Sequence, residues 1–329
     1  MPLSLKKSEN AFLPKLSRYS DAMISGEELK AALPIAPVRE LVETIDAPKI
    51  ASGKVREIYD LGDSVLLVAS DRISAFDVVL PGGIPGRGLI LTQLSHFWFE
   101  QTKSIAPNHI IPNEEKILCD TLKLSRDSQL RSMAVRKLQP LEIECIVRGY
   151  IAGSGWSSYQ NDRTICGIEL PEGLQLASKL PEPIFTPTTK ATEGHDMPVT
   201  AQEAASIVGQ DIFDQVKEIS MALYAFGHDL AEKAGIILAD TKFEFGTNKA
   251  GKVYLIDEVL TPDSSRYWDA AEYKVGSSPA SYDKQIIRDY LETLDDWDKT
   301  EPGPELPKGI VEKAQQRYLE VYSKLIAVG

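Results

Sequence analysis

The stretch Gly235-Ile-Ile-Leu-Ala-Asp-Thr-Lys-Phe-Glu-Phe-Gly246, followed by Lys252-Val-Tyr-Leu-Ile-Asp-Glu258, predicts a β-hairpin that carries acids along one face. Successive side chains of a strand point to opposite faces of the sheet. Asp240, Lys242 and Glu244 therefore share one face, while the intervening threonine and phenylalanines take the other. One face of the hairpin is charged and the other is apolar.

The third acid on the charged face depends on the register of the hairpin. If the connection places Phe245 opposite Lys252, Asp257 lies opposite Asp240, whereas a slip of one residue brings Glu258 there instead. Three carboxylates and a lysine then converge, and hard oxygen ligands in this number suit magnesium that holds phosphates. The alternative is a solvent-facing surface whose acids prevent edge-to-edge pairing.

Composition limits the class of protein. With 329 residues the chain is long enough for two domains, and its 43% hydrophobic and 26% charged content is that of a soluble globular protein. The net charge is -12, from 48 acidic and 36 basic residues. This balance argues against a general binder of nucleic acid or membrane surfaces, because affinity for a phosphate backbone comes from concentrated lysine and arginine.

Cysteine usage and the N-terminal residues indicate a cytoplasmic protein. Cys119, Cys145 and Cys166 are scattered and form no CxxC pair, so neither a disulfide framework nor a zinc site is indicated. The first residues lack the apolar core of a signal peptide, and no apolar run is long enough to span a bilayer.

The first half of the chain is predicted to be rich in strands. Runs of β-branched and apolar residues separated by turn residues indicate strands, and apolar residues at helical spacing indicate helices. They predict a short helix at 27–33, a hairpin from 55–59 and 64–69, a helix at 92–103, and a second strand pair from 133–138 and 142–148.

The second half begins with a stretch at 153–198 that glycine, proline, serine and threonine interrupt, which predicts a long functional loop. Thr200 with Glu203 forms a capping-box pattern, and Asp211 can cap a longer helix that Gly235 ends. Two further amphipathic helices are predicted at 282–294 and 311–325.

Several short segments carry groups suited to anions. Gly53 and Lys54 precede the first strand of the hairpin, where backbone amides and an ammonium can approach a phosphate, although a plain turn would look the same. Arg148 ends a strand and is followed by a glycine-rich segment with Ser154, which suits a planar anion. An arginine–acid bridge at a glycine bend is the alternative. Arg266 follows the acidic hairpin and reaches the same edge.

Two further loops carry polar groups. Asp71 and Ser74 lie in one loop after a buried strand, where a solvated turn is the alternative. Lys190, His195 and Asp196 lie in the long middle loop, in which Gly194 could act as a hinge.

Five motifs in this order resemble the SAICAR synthetase (phosphoribosylaminoimidazole-succinocarboxamide synthase) family, over roughly residues 50–294. The long middle loop resembles that of the longer, fungal-type members. The motifs are Gly53-Lys-Val-Arg-Glu-Ile-Tyr59, Ser70-Asp-Arg-Ile-Ser-Ala-Phe-Asp77, Val147-Arg-Gly-Tyr-Ile-Ala-Gly-Ser154, Asp240-Thr-Lys-Phe-Glu-Phe-Gly246 and Asp257-Glu-Val-Leu-Thr-Pro-Asp-Ser-Ser-Arg266.

The resemblance implies a two-lobed α+β fold with ATP between the lobes. The N-terminal lobe would be an antiparallel sheet like that of protein kinases, and the C-terminal lobe would be like the nucleotide-binding half of ATP-grasp enzymes. We expect a lead-in at 1–50, a β-rich nucleotide-lid lobe at 51–138, and an ATP-grasp-like lobe with substrate loops and C-terminal helices at 139–329.

The resemblance also implies roles for individual residues. Catalytic roles fall to Lys54, Asp240 and Lys242. Binding of ATP and Mg²⁺ falls to Gly53, Lys54, Arg56, Lys137, Leu141, Glu144, Glu244 and Asp257, of which Glu244 and Asp257 are the magnesium ligands. Substrate binding falls to Asp71, Ser74, Arg148, Ser154, Lys190, Asp196 and Arg266.

The implied reaction joins carboxyaminoimidazole ribotide and L-aspartate at the expense of ATP, through an acyl phosphate, in a monomer or small homo-oligomer. A small-molecule kinase or another ATP-grasp-like carboxylate–amine ligase is the alternative enzyme, and the chain lacks the HRD-like catalytic loop of a kinase. A nucleotide sensor that has lost its chemistry would lack the magnesium acids, yet Glu244 and Asp257 are present.

Overall fold

Two larger antiparallel sheets, of four and seven strands, organise the computed structural model, which describes residues 24–41, 43–190, 196–282 and 284–329. The first part of the chain forms α1 (Gly26–Ala32), β1 (Lys49–Ser52), β2 (Arg56–Asp60), β3 (Ser64–Ala69), β4 (Ser74–Ala75), β5 (Val78–Val79), α2 (Arg87–Gln101), α3 (Glu114–Lys116), a π-helical turn (Ile117–Thr121), α4 (Arg126–Leu130) and β6 (Ser132–Arg136).

The second part supplies the larger sheet and the helices that cover it. It forms β7 (Gln139–Pro140), β8 (Ile143–Tyr150), α5 (Gly153–Asp162), β9 (Thr164–Ile165), β10 (Ile168–Glu169), β11 (Lys179–Phe185), β12 (Thr188–Thr189), α6 (Ala201–Val208), α7 (Gln210–Lys233), β13 (Ile236–Thr247), β14 (Val253–Ile256), β15 (Ser265–Asp269), α8 (Gln285–Glu292) and α9 (Lys308–Ile326).

The sheet topology confirms the α+β class. The four-stranded sheet has the order β1-β2-β3-β6, and the larger one has the order β11-β8-β13-β14, with β7 and β15 paired to β13 and β12 paired to β8. α7 packs on β13 and β8. The alternation predicted for β13 is confirmed, because Phe243 and Phe245 lie in the core while Lys242 contacts Glu244 on the charged face.

The register of the acidic hairpin differs from the prediction. Phe245 pairs with Leu255 rather than Lys252, because the strands continue to Thr247 and the reversal is a tight turn built on Asn248. The Asn248 side chain accepts two backbone N–H groups of that turn. Asp257 therefore does not lie opposite Asp240. It follows β14 with a φ of 65°, where the strand alternation has ended.

The second predicted strand pair is also wrong. β6 pairs with β3 in the smaller sheet, whereas β8 pairs with β11, β12 and β13 in the larger one. The connection between them carries the chain from one sheet to the other. On the way, β7 pairs with β13, and the Leu141 N–H donates to the Phe245 carbonyl. Main-chain hydrogen bonds to a distant strand therefore replace the expected hairpin.

The stretch at 153–198 is not a continuous loop, because α5 and the short strands β9 to β12 lie within it. Gly153 and Gly155 begin α5, and both allow a close approach of arginine side chains. A Cβ on Gly153 would lie 2.8 Å from Arg266 Nη2, and one on Gly155 would lie 3.4 Å from Arg148 Cδ. The glycines that predicted a loop therefore provide space for two guanidinium groups.

The start of a helix is predicted correctly where the capping residues lie next to it in the sequence. The capping box of Thr200 and Glu203 at α6 is confirmed. α7 has Gly209 as its N-cap, so Asp211 lies in the first turn rather than capping it. α2 begins five residues before the predicted residue 92, because the carboxylate of the distant Asp71 accepts N–H groups at its start.

The hydrophobic core is continuous across the predicted boundary at residue 138, extending from Leu29 to Leu325. The C-terminal helix α9 packs against α1, α2 and α8 rather than against the larger sheet. The division into three segments therefore remains a prediction. Among the residues described, no helix is long and apolar enough to cross a bilayer.

We predict a pH dependence of stability from His109, which joins the two larger sheets. Its side chain is 3% exposed, and its backbone bonds to Leu255 and Arg136. Burial, reinforced by the charges of Arg56 and His96, lowers its pKa to about 3. An unfolded histidine titrates near pH 6.5, so the unfolded chain binds the proton first, and the free energy of unfolding falls by about 1.4 kcal/mol per pH unit from 6.5 towards 3.

Urea unfolding of wild type and His109→Gln between pH 7.5 and 4 isolates this contribution. The difference between the two proteins should change with pH below 6.5, because their carboxylates titrate alike. Parallel curves over the whole range would contradict the prediction.

Candidate active site

Three charged side chains form a row across the middle of the larger sheet. Asp240 on β13 pairs in register with Arg148 on β8 and with Arg266 on β15. One oxygen, Asp240 Oδ2, accepts from Arg148 Nη1 at 3.1 Å and from Arg266 Nη1 at 2.5 Å. The arginine–acid bridge weighed as an alternative is therefore present, and the row holds two guanidinium groups around one carboxylate.

Neighbouring hydroxyl groups fix the Arg148 side chain. Its Nε donates to Thr186 Oγ1 at 3.1 Å, and its Nη2 donates to Ser154 Oγ at 3.2 Å. Ser154 lies in the first turn of α5, where Gly155 leaves room for the arginine. The structure thus brings Arg148, Ser154 and Arg266, which were predicted to bind substrate, together with Asp240, which was predicted to be catalytic.

A cavity of about 240 Å³ opens beside this row. Five basic and two acidic side chains line it, an excess of positive charge in a chain whose net charge is -12. Such a pocket attracts small anions. The charged lining residues are Arg148, Lys242, Arg266, Lys284, Arg288, Asp240 and Asp263.

A chain of alternating acids and lysines continues from the cavity. Lys242 Nζ donates to Glu144 Oε1 at 2.5 Å and to Glu244 Oε1 at 2.9 Å, and Lys190 donates to the other oxygen of Glu244. Thr188 Oγ1 donates to Glu144 Oε2 at 3.2 Å. The acids and lysines of this segment therefore neutralise one another.

The pKa values in this chain of charges reflect burial and pairing. Burial raises the pKa of Glu244, but the charges of Lys242 and Lys190 outweigh it, so the value falls to about 2. Burial lowers the pKa of Lys242, while Glu244 and Glu144 raise it further than burial lowers it. The pKa of Glu144 is raised, chiefly by burial and, in part, by the charge of Asp196. Both Glu244 and Lys242 are therefore charged at neutral pH.

The predicted phosphate lid lies at the start of β2. Lys54 Nζ pairs with Asp77 at 2.7 Å on the surface, and the Gly53 carbonyl accepts from Arg72 Nη2 at 3.0 Å. Arg56 pairs with Asp257, and its Nη2 lies 3.4 Å from Glu258 Oε1. Arg56 thus connects the smaller sheet to the end of β14.

The other predicted nucleotide residues lie along the crossing between the sheets. Lys137 Nζ lies 3.0 Å from an oxygen of Asp60 on the surface. Leu141 is buried beside Phe245. Their predicted contacts with ATP stay predictions.

Four predicted substrate residues lie outside the cavity lining, among them Asp71 and Ser74. Asp71 is 0% exposed, and its oxygens accept backbone N–H groups of Val38, Gly86 and Gly88 as well as Arg131 Nη1. These contacts are structural and give no support to the predicted substrate role. Ser74 lies on β4, paired with β5.

The middle loop is described only in part. Lys190 contacts Glu244, and Asp196 is exposed at the other end of the gap. Gly194 as a hinge and His195 fall outside the described residues.

Sequence reasoning missed two cations of the cavity, Lys284 and Arg288. Lys284 is the N-cap of α8 and Arg288 follows four residues later, so both lie on the same side of the helix. This i, i+4 spacing of two basic residues is the sequence signal that could have identified them. Lys284 Nζ lies 2.7 Å from Asp263 Oδ2, and Arg87 pairs with the same oxygen.

The predicted magnesium site can be compared with the carboxylate oxygens that the structure places there. In the described part of the chain no group of three or more acids, histidines or cysteines is arranged to hold a metal ion. Glu244 and Asp257 instead hold the cations of Lys190, Lys242 and Arg56. Magnesium in phosphoryl-transfer sites usually takes one or two carboxylates together with substrate phosphates and waters. Two carboxylates therefore fit such an ion when a nucleotide supplies the remaining oxygens.

Known proteins resemble this chain in sequence and in structure. A family model described as SAICAR synthetase matches residues 49–304. The phosphoribosylaminoimidazole-succinocarboxamide synthase of Thermodesulfovibrio yellowstonii is 52% identical over 271 residues, which cover 82% of this chain and 92% of that protein. The structure of SAICAR-synthase from Saccharomyces cerevisiae complexed with SAICAR has a TM-score of 0.78 at 40% identity, covering 88% of this chain and 98% of that one.

A further solved structure is SAICAR synthetase (Type-2) in complex with ADP. It has a TM-score of 0.58 at 25% identity and covers 78% of this chain and 99% of that one. The family model and the relatives agree on one assignment: this chain belongs to the SAICAR synthetase family.

Proposed function

We propose that this enzyme joins carboxyaminoimidazole ribotide to L-aspartate, with ATP converted to ADP and phosphate, using the cavity beside the Arg148–Asp240–Arg266 row. The observation that carries the proposal is the excess of basic side chains in that cavity, within an acidic protein. Both substrates are anionic, so a local positive pocket is what they require. Family membership as a ligase of purine biosynthesis supports the same reaction.

The forked guanidinium groups suit the phosphate and carboxylate groups of the ribotide. Arg148 and Arg266 both donate to one carboxylate oxygen of Asp240, so their N–H groups point towards the same place, as they would towards one oxygen of a bound anion. Ser154 adds a hydroxyl group to the same place. Planar bidentate donors bind carboxylate and phosphate with defined orientation, which holds the reacting carboxylate still.

We propose that ATP lies between the two larger sheets, with its phosphates near Lys54, Arg56 and Glu244. The family relative solved with ADP supports a nucleotide substrate. Glu244 and Asp257 would hold Mg²⁺, which when bound neutralises charge on the phosphates. Arg56 and Lys190 pair with these acids in the structure, so their cations would be free to face the phosphates once the acids turn to the metal.

The proposed reaction sequence follows from the low reactivity of a carboxylate towards an amine, because direct attack would have to expel oxide or hydroxide, which are poor leaving groups. A carboxylate oxygen of the ribotide attacks the γ-phosphorus, and ADP departs to leave an acyl phosphate. The amine of aspartate attacks the acyl carbon and loses a proton, and inorganic phosphate leaves with the original carboxylate oxygen. Lys54 and Lys242, which we propose as catalytic, would stabilise the transferring phosphoryl group, while Asp240 orients the two arginines.

We predict that sustained ADP release requires ATP, magnesium, the carboxylated ribotide and L-aspartate together. With ¹⁸O in the ribotide carboxylate, one label should appear in inorganic phosphate, because that oxygen departs when the amine attacks. Mass spectrometry of phosphate and of the succinocarboxamide product measures both. Accumulation of a stable phosphorylated ribotide, or steady turnover without an amine, would instead favour the small-molecule kinase.

The finer assignments are proposals as well. We propose the longer form of the enzyme, supported by the match to 98% of the yeast chain. The fungal label is not confirmed, because the curated relatives that are 47% to 52% identical are bacterial. We further propose a cytoplasmic location and a monomer or small homo-oligomer, for which the scattered cysteines and the acidic net charge give the support.

A further inference from the structure

The C-terminal helix α9 reaches the proposed site although it lies beyond the range of the family model, which ends at residue 304. Tyr318 on this helix is 1% exposed, and its hydroxyl group donates to Asp263 Oδ1 at 2.9 Å. Asp263 belongs to the loop between β14 and β15 and lines the 240 Å³ cavity. One hydroxyl group therefore links the end of the chain to the cavity wall.

The two oxygens of Asp263 have different partners. Oδ2 pairs with Arg87 from α2 and with Lys284 Nζ at 2.7 Å, while Oδ1 takes the Tyr318 hydroxyl group. Because both oxygens of Asp263 have partners, the carboxylate group is held in one orientation. The position of the Lys284 ammonium bound to it is then fixed as well. Lys284 lines the cavity together with Arg288, one turn further along α8.

We propose that Tyr318 is a positioning residue of the anion cavity: through Asp263 it holds the Lys284 ammonium at the place where the ribotide's anionic groups bind. This inference rests on the proposed function, because it names the substrate that the Lys284 side of the cavity receives. Tyr318 itself does not line the cavity, so its effect on the substrate passes through Asp263 and Lys284. A misplaced ammonium weakens substrate binding without changing which groups are present.

Tyr318→Phe tests the inference, because it removes the hydroxyl group and keeps the buried ring. The matched control is Tyr322→Phe on the same helix. Tyr322 is 0% exposed, and its hydroxyl group donates to the Ile24 carbonyl at 2.6 Å, at the contact between α9 and α1 rather than at the cavity. Each variant loses a hydrogen bond of a buried tyrosine, so a purely structural role predicts the same result for both.

The measurements are KM and kcat for the ribotide, KM for ATP, and binding of the ribotide by titration calorimetry without ATP. In Tyr318→Phe we expect KM and the dissociation constant for the ribotide to rise about tenfold, the lower end of what one hydrogen bond to a charged group contributes. KM for ATP should stay within about twofold, and Tyr322→Phe should leave all three values near those of wild type.

A double variant tests whether the effect of Tyr318 on ribotide binding passes through Lys284. In a Lys284→Met background, adding Tyr318→Phe should weaken ribotide binding no further, because the proposed effect of Tyr318 on the substrate passes through the Lys284 ammonium. Equal ribotide affinity in Tyr318→Phe, Tyr322→Phe and wild type, or additive losses in the double variant, would overturn the inference. Failure of the proposed function is seen separately, as absence of ribotide binding and turnover in the wild type.

Discussion

Replacing Glu244 by glutamine is expected to lower turnover by about a hundred- to a thousandfold, comparable to the cost of removing one preorganised hydrogen-bond donor from an oxyanion hole. Glu244 accepts from Lys242 and Lys190, and its low pKa of about 2 keeps it charged. The amide keeps the shape but neither the charge nor the proposed magnesium contact. Lys242 then keeps only the carboxylate of Glu144, and Lys190 loses the charge of the carboxylate with which it pairs.

The rate of ADP release across a magnesium titration, together with thermal unfolding, measures this effect. Asp269→Asn is the matched control, since Asp269 is an acid of the same sheet whose Oδ2 accepts from the Tyr282 hydroxyl at 2.8 Å, away from the cavity. The control should unfold earlier yet keep its turnover. Turnover near that of wild type in Glu244→Gln at ordinary magnesium would remove Glu244 from the catalytic site.

Asp240→Asn is expected to lower the free energy of unfolding of the ligand-free enzyme by about 3 to 5 kcal/mol, the cost of removing one partner from a buried ion pair. Asp240 is the shared counter-charge of Arg148 and Arg266, and all three side chains are largely buried. Without it the two guanidinium groups lose the carboxylate that they share. Inorganic phosphate should then restore part of the loss by binding between them.

Urea unfolding with and without phosphate measures both effects. The control is Glu172→Gln, which breaks the exposed pair of Glu172 with Arg163 and should cost less than about 1 kcal/mol. An unchanged midpoint in Asp240→Asn, or a phosphate effect no larger than that in wild type, would contradict the role assigned to the row.

Local patterns in the sequence predicted those parts of the structure that local forces determine. The alternation of β13 places Asp240, Lys242 and Glu244 on one face, because successive strand side chains must point in opposite directions. The capping box of Thr200 and Glu203 starts α6 because its hydrogen bonds span only three residues. The ordered motifs also identified the family correctly.

Contacts between distant residues could not be predicted in the same way. The row of Arg148, Asp240 and Arg266 joins residues that are 92 and 26 positions apart, and local patterns do not show that β8, β13 and β15 are neighbours. Asp71 was predicted to bind substrate because its motif resembles that of the family. Only the packing shows that its oxygens hold the start of α2.

The sequence by itself determined the charged face of the central strand, since strand periodicity acts over a few positions. Its ordered motifs determined the family and, through that resemblance, the class of the fold. The tertiary structure alone decided that Asp257 meets Arg56 instead of Asp240, and that Lys284 and Tyr318 share Asp263. The physical reason is that strand register and helix docking minimise the free energy of the whole core, which no local pattern contains.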